Sequence, residues 1–120
     1  MPNKTNSMNA STDDLKTRAA RIKLFLMDVD GVLTDGRLIN VPAPDGTMFE
    51  TKAFDSQDGI ALQWLSWNGI ATGVISGRVS PATVERARQV KMTYVYQGHI
   101  EKVPILEEII DRQLITEQRK

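Results

Sequence analysis

Residues 22–36 read IKLFLMDVDGVLTDG, and the fold turns on this stretch. The run from Ile22 to Met27 is mostly apolar and carries one charge, Lys23. Its length and lack of polar alternation predict a central strand buried on both faces. The run stops at Asp28, Val29, Asp30 and Gly31. Residues two apart on a strand share a face. The two carboxylates therefore stand together at a strand's end, beside a glycine that lets the chain turn.

Downstream, Pro42, Pro44 and the pair Asp45–Gly46 mark a turn inside loosely alternating residues, which predicts a two-stranded hairpin flap over residues 37–54. Ile60, Leu62, Trp64 and Leu65 are at roughly helical spacing, so a helix is expected over 58–67, with Gly69 where a C-terminal stop belongs. Residues 70–75 (IATGVI) predict a second buried strand. Ser80 before Pro81 is a helix start, with serine as N-cap and proline in the first position. Residues 93–96 (TYVY) predict a third strand, and 101–112 a third helix. Trp64 and Trp67 are expected to be packing residues. Upstream, residues 1–12 are polar and predict a flexible arm, followed by a short basic helical stretch, DDLKTRAAR, or a solvated turn. The division expected is an arm over 1–20 and one domain over 21–120. Strands alternating with helices give an α/β fold: a Rossmann-like parallel sheet flanked by helices, with the hairpin as its only elaboration and no large cap domain.

Composition narrows the functional classes. The 120 residues hold 15 Lys+Arg and 15 Asp+Glu, a net charge of zero, so no electrostatic footprint for nucleic acid or an anionic membrane is present. There is no cysteine, which excludes disulfides, thiolate catalysis and Cys-based zinc sites. The lone histidine, His99, cannot build a multi-histidine site and is read as a loop residue. No apolar run approaches the roughly 18 residues of a membrane span, and no apolar signal core stands at the start. A cytoplasmic protein is expected.

In open α/β sheets ligands bind at the carboxyl ends of the strands, and that rule selects the chemistry. The first strand ends in Asp28 and Asp30, oxygen donors suited to a hard cation such as magnesium. The second ends in Ser76, Gly77 and Arg78, where a hydroxyl and backbone amides can hold phosphate oxygens and a guanidinium can fork onto a carboxylate or phosphate. The third leads to Lys102 at a helix start, where an ammonium can neutralise nucleophile and phosphate together. Taken singly, each has a plainer reading: surface acid, turn serine, solvated lysine. Asp35, Asp55 and Asp58 can each be turn or cap residues. A calcium loop is excluded, because its glycine would stand two positions later and its twelfth position here is Ile39. The order carboxylate, hydroxyl, ammonium over three consecutive strand ends carries more than any one of them.

The string Asp28-x-Asp30-Gly31-x-x-Thr34 resembles the first motif of the haloacid dehalogenase superfamily of phosphotransferases; Ser76 in VISGR matches its second motif and Lys102 in GHIEKVP its third. Within the superfamily, DVDGVLTDGRL, KAFDSQDG, ISGR and YQG, spread over residues 21–118, resemble phosphatases of octulosonate and nonulosonate phosphates. The resemblance implies an aspartyl-phosphate mechanism with Asp28 as nucleophile and Asp30 as general acid and base. It implies a magnesium ion held by Asp28 and the Asp30 carbonyl. Ser76 and Lys102 would hold the phosphoryl group. Asp30, Asp55, Ser56, Gln57, Asp58, Gly59, Gln63, Arg78, Arg86 and Lys102 would contact a small phosphorylated sugar acid, with the two arginines on its carboxylate. It also implies a homotetramer whose hairpins meet centrally.

One departure stands against this. The superfamily's fourth motif, an acidic pair on the next strand, has no match, and the sequence given stops at LITEQRK. A site poorer in carboxylates is expected to leave more waters on magnesium, and a sheet edge is expected to be open. Two functions therefore compete: a magnesium-dependent sugar-acid phosphatase, and an inactive scaffold or assembly module. A third reading has a partner chain supplying the missing acid.

Overall fold

The computed structural model describes the backbone of residues 4–120 and the side chains of residues 12–120, so the start of the expected arm lies outside the described residues. Helix α1 spans Lys4–Ala19, strand β1 Leu24–Met27, β2 Ile39–Pro42, β3 Met48–Thr51, α2 Ser56–Trp67, β4 Ala71–Ser76, α3 Pro81–Gln89, β5 Tyr94–Gln97 and α4 Val103–Gln118. The backbone of α1 is thus helical from well before the basic stretch. Every side chain described in it is exposed, so the described part of α1 adds nothing to the core. No helix among the described residues is long and apolar enough to cross a membrane.

Strands β1, β4 and β5 form a parallel sheet in the order β1-β4-β5, while β2 and β3 pair antiparallel in a separate hairpin. The expected order of elements is therefore the observed one, and the fold is α/β. The register sets Met27 opposite Val74 and Ser76 opposite Gln97. The carboxyl ends of the three strands consequently open onto one rim.

The expectation that β1 is central and covered on both faces is corrected. Among the described residues β1 is an edge strand, and Phe25 is 42% exposed. The central strand is β4, buried from Thr72 through Ser76. An apolar run shows that a segment meets the core but not which neighbours it pairs with. Two clusters lie on opposite faces of the sheet, because neighbouring strand residues point opposite ways. Val74 packs with Val29, Leu33, Leu62 and Val90, while Ile75 packs with Tyr94 and Ile109. Helices α2 and α3 close the first face and α4 the second.

Helix starts follow side-chain chemistry. The Asp55 carboxylate caps α2 by accepting from the amides of Gln57 (2.7 Å) and Asp58 (3.4 Å). The Ser80 hydroxyl caps α3 by accepting from the Ala82 amide, with Pro81 in the first turn as expected. Helix α4 runs past its expected end near Arg112. There the Tyr94 hydroxyl donates to Gln113 (2.8 Å), and Gln113 donates to Glu117 (2.8 Å), a polar tie that secures the helix's later turns. The reading of Trp64 and Trp67 as packing residues is also corrected: they are 60% and 68% exposed. Leu62 and Leu65 supply the core face of α2, and the tryptophans fall on the other side of the helix.

Ile109 is fully buried in the middle of α4. Ile109→Ala should lower unfolding free energy by about 2–5 kcal/mol, measured by urea denaturation. Leu114→Ala, at a half-exposed position of the same helix, should cost less than about 0.5 kcal/mol. Equal losses at the two positions would contradict this account of how α4 is held.

Candidate active site

The turn after β1 is built by its own motif. The Val29 carbonyl accepts from the amides of Val32 (3.2 Å), Leu33 (2.9 Å) and Thr34 (3.2 Å). The Thr34 hydroxyl accepts from the amides of Gly31 (3.3 Å) and Gly36 (3.1 Å). Gly31 has φ +85°, a conformation that L side chains rarely adopt. Val29 and Leu33 are buried, so the loop is rooted in the core while its acids face outward. Asp28 accepts from the Val29 amide through Oδ1 (2.8 Å) and meets the Lys102 ammonium through Oδ2 (3.2 Å).

Both partners of that ion pair are about two-fifths exposed (40% and 42%). A pair so wet adds little to stability, and a cation at a helix N-terminus opposes the helix dipole. Lys102 is the N-cap residue of α4 and makes no side-chain cap hydrogen bond. The helix thus gains nothing from a lysine here; its reach to Asp28 is what the position supplies. Ser76, at the end of β4, is 2% exposed, and its hydroxyl accepts from the Arg78 amide (3.2 Å). That leaves the hydroxyl proton to donate. Asp28, Ser76 and Lys102 therefore come from the ends of β1, β4 and the loop after β5, as the sequence predicts.

Two further residues enter from the hairpin. Lys52 donates to Asp30 (2.6 Å) and to Glu50 (3.1 Å), and its side chain is 2% exposed. Glu50 in turn receives the Arg78 guanidinium on both carboxylate oxygens, from Nε (3.2 Å) and from Nη2. Sequence reasoning passed over Glu50 and Lys52. The available signal was their spacing: two charged residues two apart, one near the end of a strand that begins Met48-Phe49 and one just past it. The cations hold the Glu50 carboxyl down from 4.5 to about 2, Arg78 contributing most and Lys52 next. Burial pulls the Lys52 ammonium down, but its bonds to Asp30 and Glu50 outweigh this and leave it raised. Glu50 raises Arg78 likewise.

The remaining predicted residues lie along the start of α2 and the face of α3. Asp55 spends its carboxylate on the helix cap, the plainer of its two readings. Asp35 accepts from the Arg37 amide (3.1 Å), a turn contact. Arg86 donates to the Asp55 carbonyl (2.9 Å) and to Gln89 (3.4 Å), and it stacks over the Phe54 ring at 5.7 Å. A side chain at Gly59 would collide with that guanidinium, so glycine is what seats Arg86. Gln63 donates to the Gln89 carbonyl (3.4 Å). Asp55 and Asp58 border a cavity of about 410 Å³ shared with Thr34, Asp35 and Phe54, and Ser56 and Gln57 stand exposed beside it. Arg78 and Arg86 are thus unequal: Arg86 is fastened to the loop, whereas Arg78 is 48% exposed.

Asp28 and Asp30 offer hard oxygen donors, which fit magnesium in kind. They are few: among the described residues no three His, Cys, Asp or Glu side chains converge. Magnesium commonly keeps several waters and takes only one or two carboxylates, so this donor set fits it with water completing the shell.

The lowered Glu50 pKa has a consequence for stability. A carboxyl whose folded pKa lies below its unfolded value adds stability above the unfolded pKa, and that stability is lost as pH falls through the folded one. The protein should therefore lose stability between pH 4.5 and about 2, and Glu50→Gln should flatten that part of the profile. Urea midpoints measured across the range check it; the same slope in both proteins would count against the hairpin tie.

Comparison with known proteins agrees with this arrangement. No family model matches the chain. It is 34% identical over 98 residues to the 3-deoxy-D-manno-octulosonate 8-phosphate phosphatase KdsC of Yersinia pestis, covering 82% of this chain and 50% of that protein. The chain spans about half the length of the curated relatives it matches. The crystal structure of 3-deoxy-D-manno-octulosonate 8-phosphate phosphatase from Moraxella catarrhalis, in complex with a magnesium ion, a phosphate ion and the sugar acid KDO, superposes with TM-score 0.72 at 39% identity, over 83% of this chain and 55% of that one. A Legionella pneumophila structure assigned to the HAD superfamily (subfamily III A) hydrolases superposes with TM-score 0.75 at 29% identity, over 88% and 56%. Over four-fifths of its length, this chain has the haloacid dehalogenase-like fold and resembles the 3-deoxy-D-manno-octulosonate 8-phosphate phosphatases of that superfamily.

Proposed function

We propose that the chain is the nucleophile-bearing part of a magnesium-dependent phosphatase acting on a small phosphorylated sugar acid, 3-deoxy-D-manno-octulosonate 8-phosphate. The free sugar acid it releases would serve lipopolysaccharide precursor synthesis in the cytoplasm. The observation that carries the reading is the Lys102 ammonium 3.2 Å from the Asp28 carboxylate at the rim of the parallel sheet. The similarity to a phosphatase solved with magnesium, phosphate and KDO supports it.

In this reading Asp28 attacks phosphorus while Asp30 protonates the departing sugar oxygen. Asp30 then takes a proton from water as that water attacks the aspartyl-phosphate, which releases phosphate and restores Asp28. The Ser76 hydroxyl and the Lys102 ammonium hold the phosphoryl oxygens, where charge accumulates. A magnesium ion bound through Asp28 and the Asp30 carbonyl would supply charge neutralisation at the same oxygens. The exposed Arg78 would receive the sugar acid's carboxylate, and residues Asp55, Ser56, Gln57, Asp58, Gly59, Gln63 and Arg86 would border its sugar portion. An arm over 1–20 would precede the domain over 21–120. Assembly as a homotetramer through the hairpins is supported by the exposure of Leu38, Met48 and Phe49. A second reading, a scaffold that keeps the fold without turnover, is favoured by the sparse donor set.

Phosphate release from 3-deoxy-D-manno-octulosonate 8-phosphate should require magnesium and should drop to background in Asp28→Asn. Normal turnover by that variant would rule the nucleophile out. No release from a folded wild-type chain would favour the scaffold. Arg78→Ala should raise KM by about tenfold, the loss of one charge-assisted hydrogen bond. Equal KM in the two proteins would remove Arg78 from the binding site.

A further inference from the structure

Arg78, Glu50, Lys52 and Asp30 form a chain of alternating charge that joins the proposed substrate-binding arginine to the proposed general acid. Exposure falls steeply along it: the side chains of Arg78, Glu50 and Lys52 are 48%, 17% and 2% exposed. The chain is therefore rooted in the protein at Lys52 and presents Arg78 to solvent. Glu50 is on β3 and Lys52 stands one residue past its end, and the Lys52 ammonium bonds Glu50 and Asp30 together. Glu50 takes the Nε edge of the guanidinium, through Nε and Nη2, while the Nη1 group has no partner among the described residues. A guanidinium has five N–H donors in a rigid fork, so clamping one edge aims the other. The amide of Arg78 is tied to Ser76, the residue that ends β4. Both ends of the arginine are thereby fixed relative to the phosphoryl-binding rim.

We infer that Glu50 is a positioning residue for substrate selection: it clamps one edge of Arg78 so that the free edge meets a carboxylate on the ligand, with Lys52 holding Glu50 from inside. The inference rests on the carboxylate-binding role proposed for Arg78. An unclamped arginine would sample several rotamers, and ordering it would oppose binding. A clamp of fixed length also sets a distance, so a ligand must carry its carboxylate and its phosphate at a matching separation. The hairpin would then help determine which phosphates are accepted, even though its residues touch neither the phosphoryl group nor the nucleophile.

Two measurements on the full chain test this. The first is the Arg78 Nε–Hε signal in a 15N-correlated spectrum, assigned by its loss in Arg78→Lys. It should be sharp and slow to exchange in the wild type, broadened in Glu50→Gln and partly restored in Glu50→Asp. A signal equally sharp in Glu50→Gln would overturn the clamp, whether or not the chain turns over substrate. The second is the ratio of kcat/KM for 3-deoxy-D-manno-octulosonate 8-phosphate to that for a neutral ketose phosphate, fructose 6-phosphate. Glu50→Gln should lower this ratio about tenfold, by weakening one charge-assisted contact, chiefly through KM for the sugar acid. An unchanged or higher ratio would overturn the inference, since Glu50 would then be idle or in competition with the ligand. Wild-type chain that shows no preference for the sugar acid, or no turnover, would instead refute the proposed function; the Arg78 signal would still decide the clamp.

Discussion

Burial of β4 on both faces is the constraint from which the rest of the structure follows. Thr72 through Ser76 are all buried, so β4 must have a strand on each side and helices above and below. Val74 and Ile75 send their side chains into separate clusters, and each cluster needs its own helical cover. Parallel pairing to β1 and β5 then brings the strands' carboxyl ends to one rim. Backbone groups lose their ladder partners there, and polar side chains become useful. The fold thus collects Asp28, Ser76 and Lys102 at one rim, and the wet Asp28–Lys102 pair adds little to its stability.

The rim is an electrostatic arrangement in two parts. Nearest the sheet, Asp28 faces Lys102 in a wet pair that adds little to stability. Farther out, the hairpin brings Lys52 and Glu50 to Asp30 and Arg78, and here the charges alternate and are mostly shielded from water. The two parts suit different tasks. An open pair can exchange partners readily, whereas a shielded chain keeps its geometry. The hairpin belongs to a separate sheet, and its ion pairs to the strand-end loops hold Glu50 and Lys52 at the rim.

The sequence shows the elements well because their signals are local. Asp55, Ser80 and Pro81 start helices through bonds to residues a few positions away. The turn after β1 is closed by Thr34 three residues beyond Gly31. Asp28, Ser76 and Lys102 were legible because each stands at the end of a strand or the start of a helix. Legibility failed where the deciding contact was distant. Whether β1 or β4 is central depends on which strands pair, and an apolar run does not encode that. Trp64 and Trp67 face solvent because Leu62 and Leu65 fill the core side of α2.

By itself, then, the sequence determined an α/β chain with carboxylates, a hydroxyl and a lysine at successive strand ends, since short-range hydrogen bonding and side-chain periodicity fix those features. Only the tertiary structure decided that β4 is the central strand, that Arg86 is fastened to the Asp55 carbonyl, and that Glu50 and Lys52 belong to the site. The physical reason is range. Lys52 lies 22 residues from Asp30 and Glu50 lies 28 from Arg78, and charges that far apart in the chain become neighbours only when the hairpin is folded against the sheet's rim.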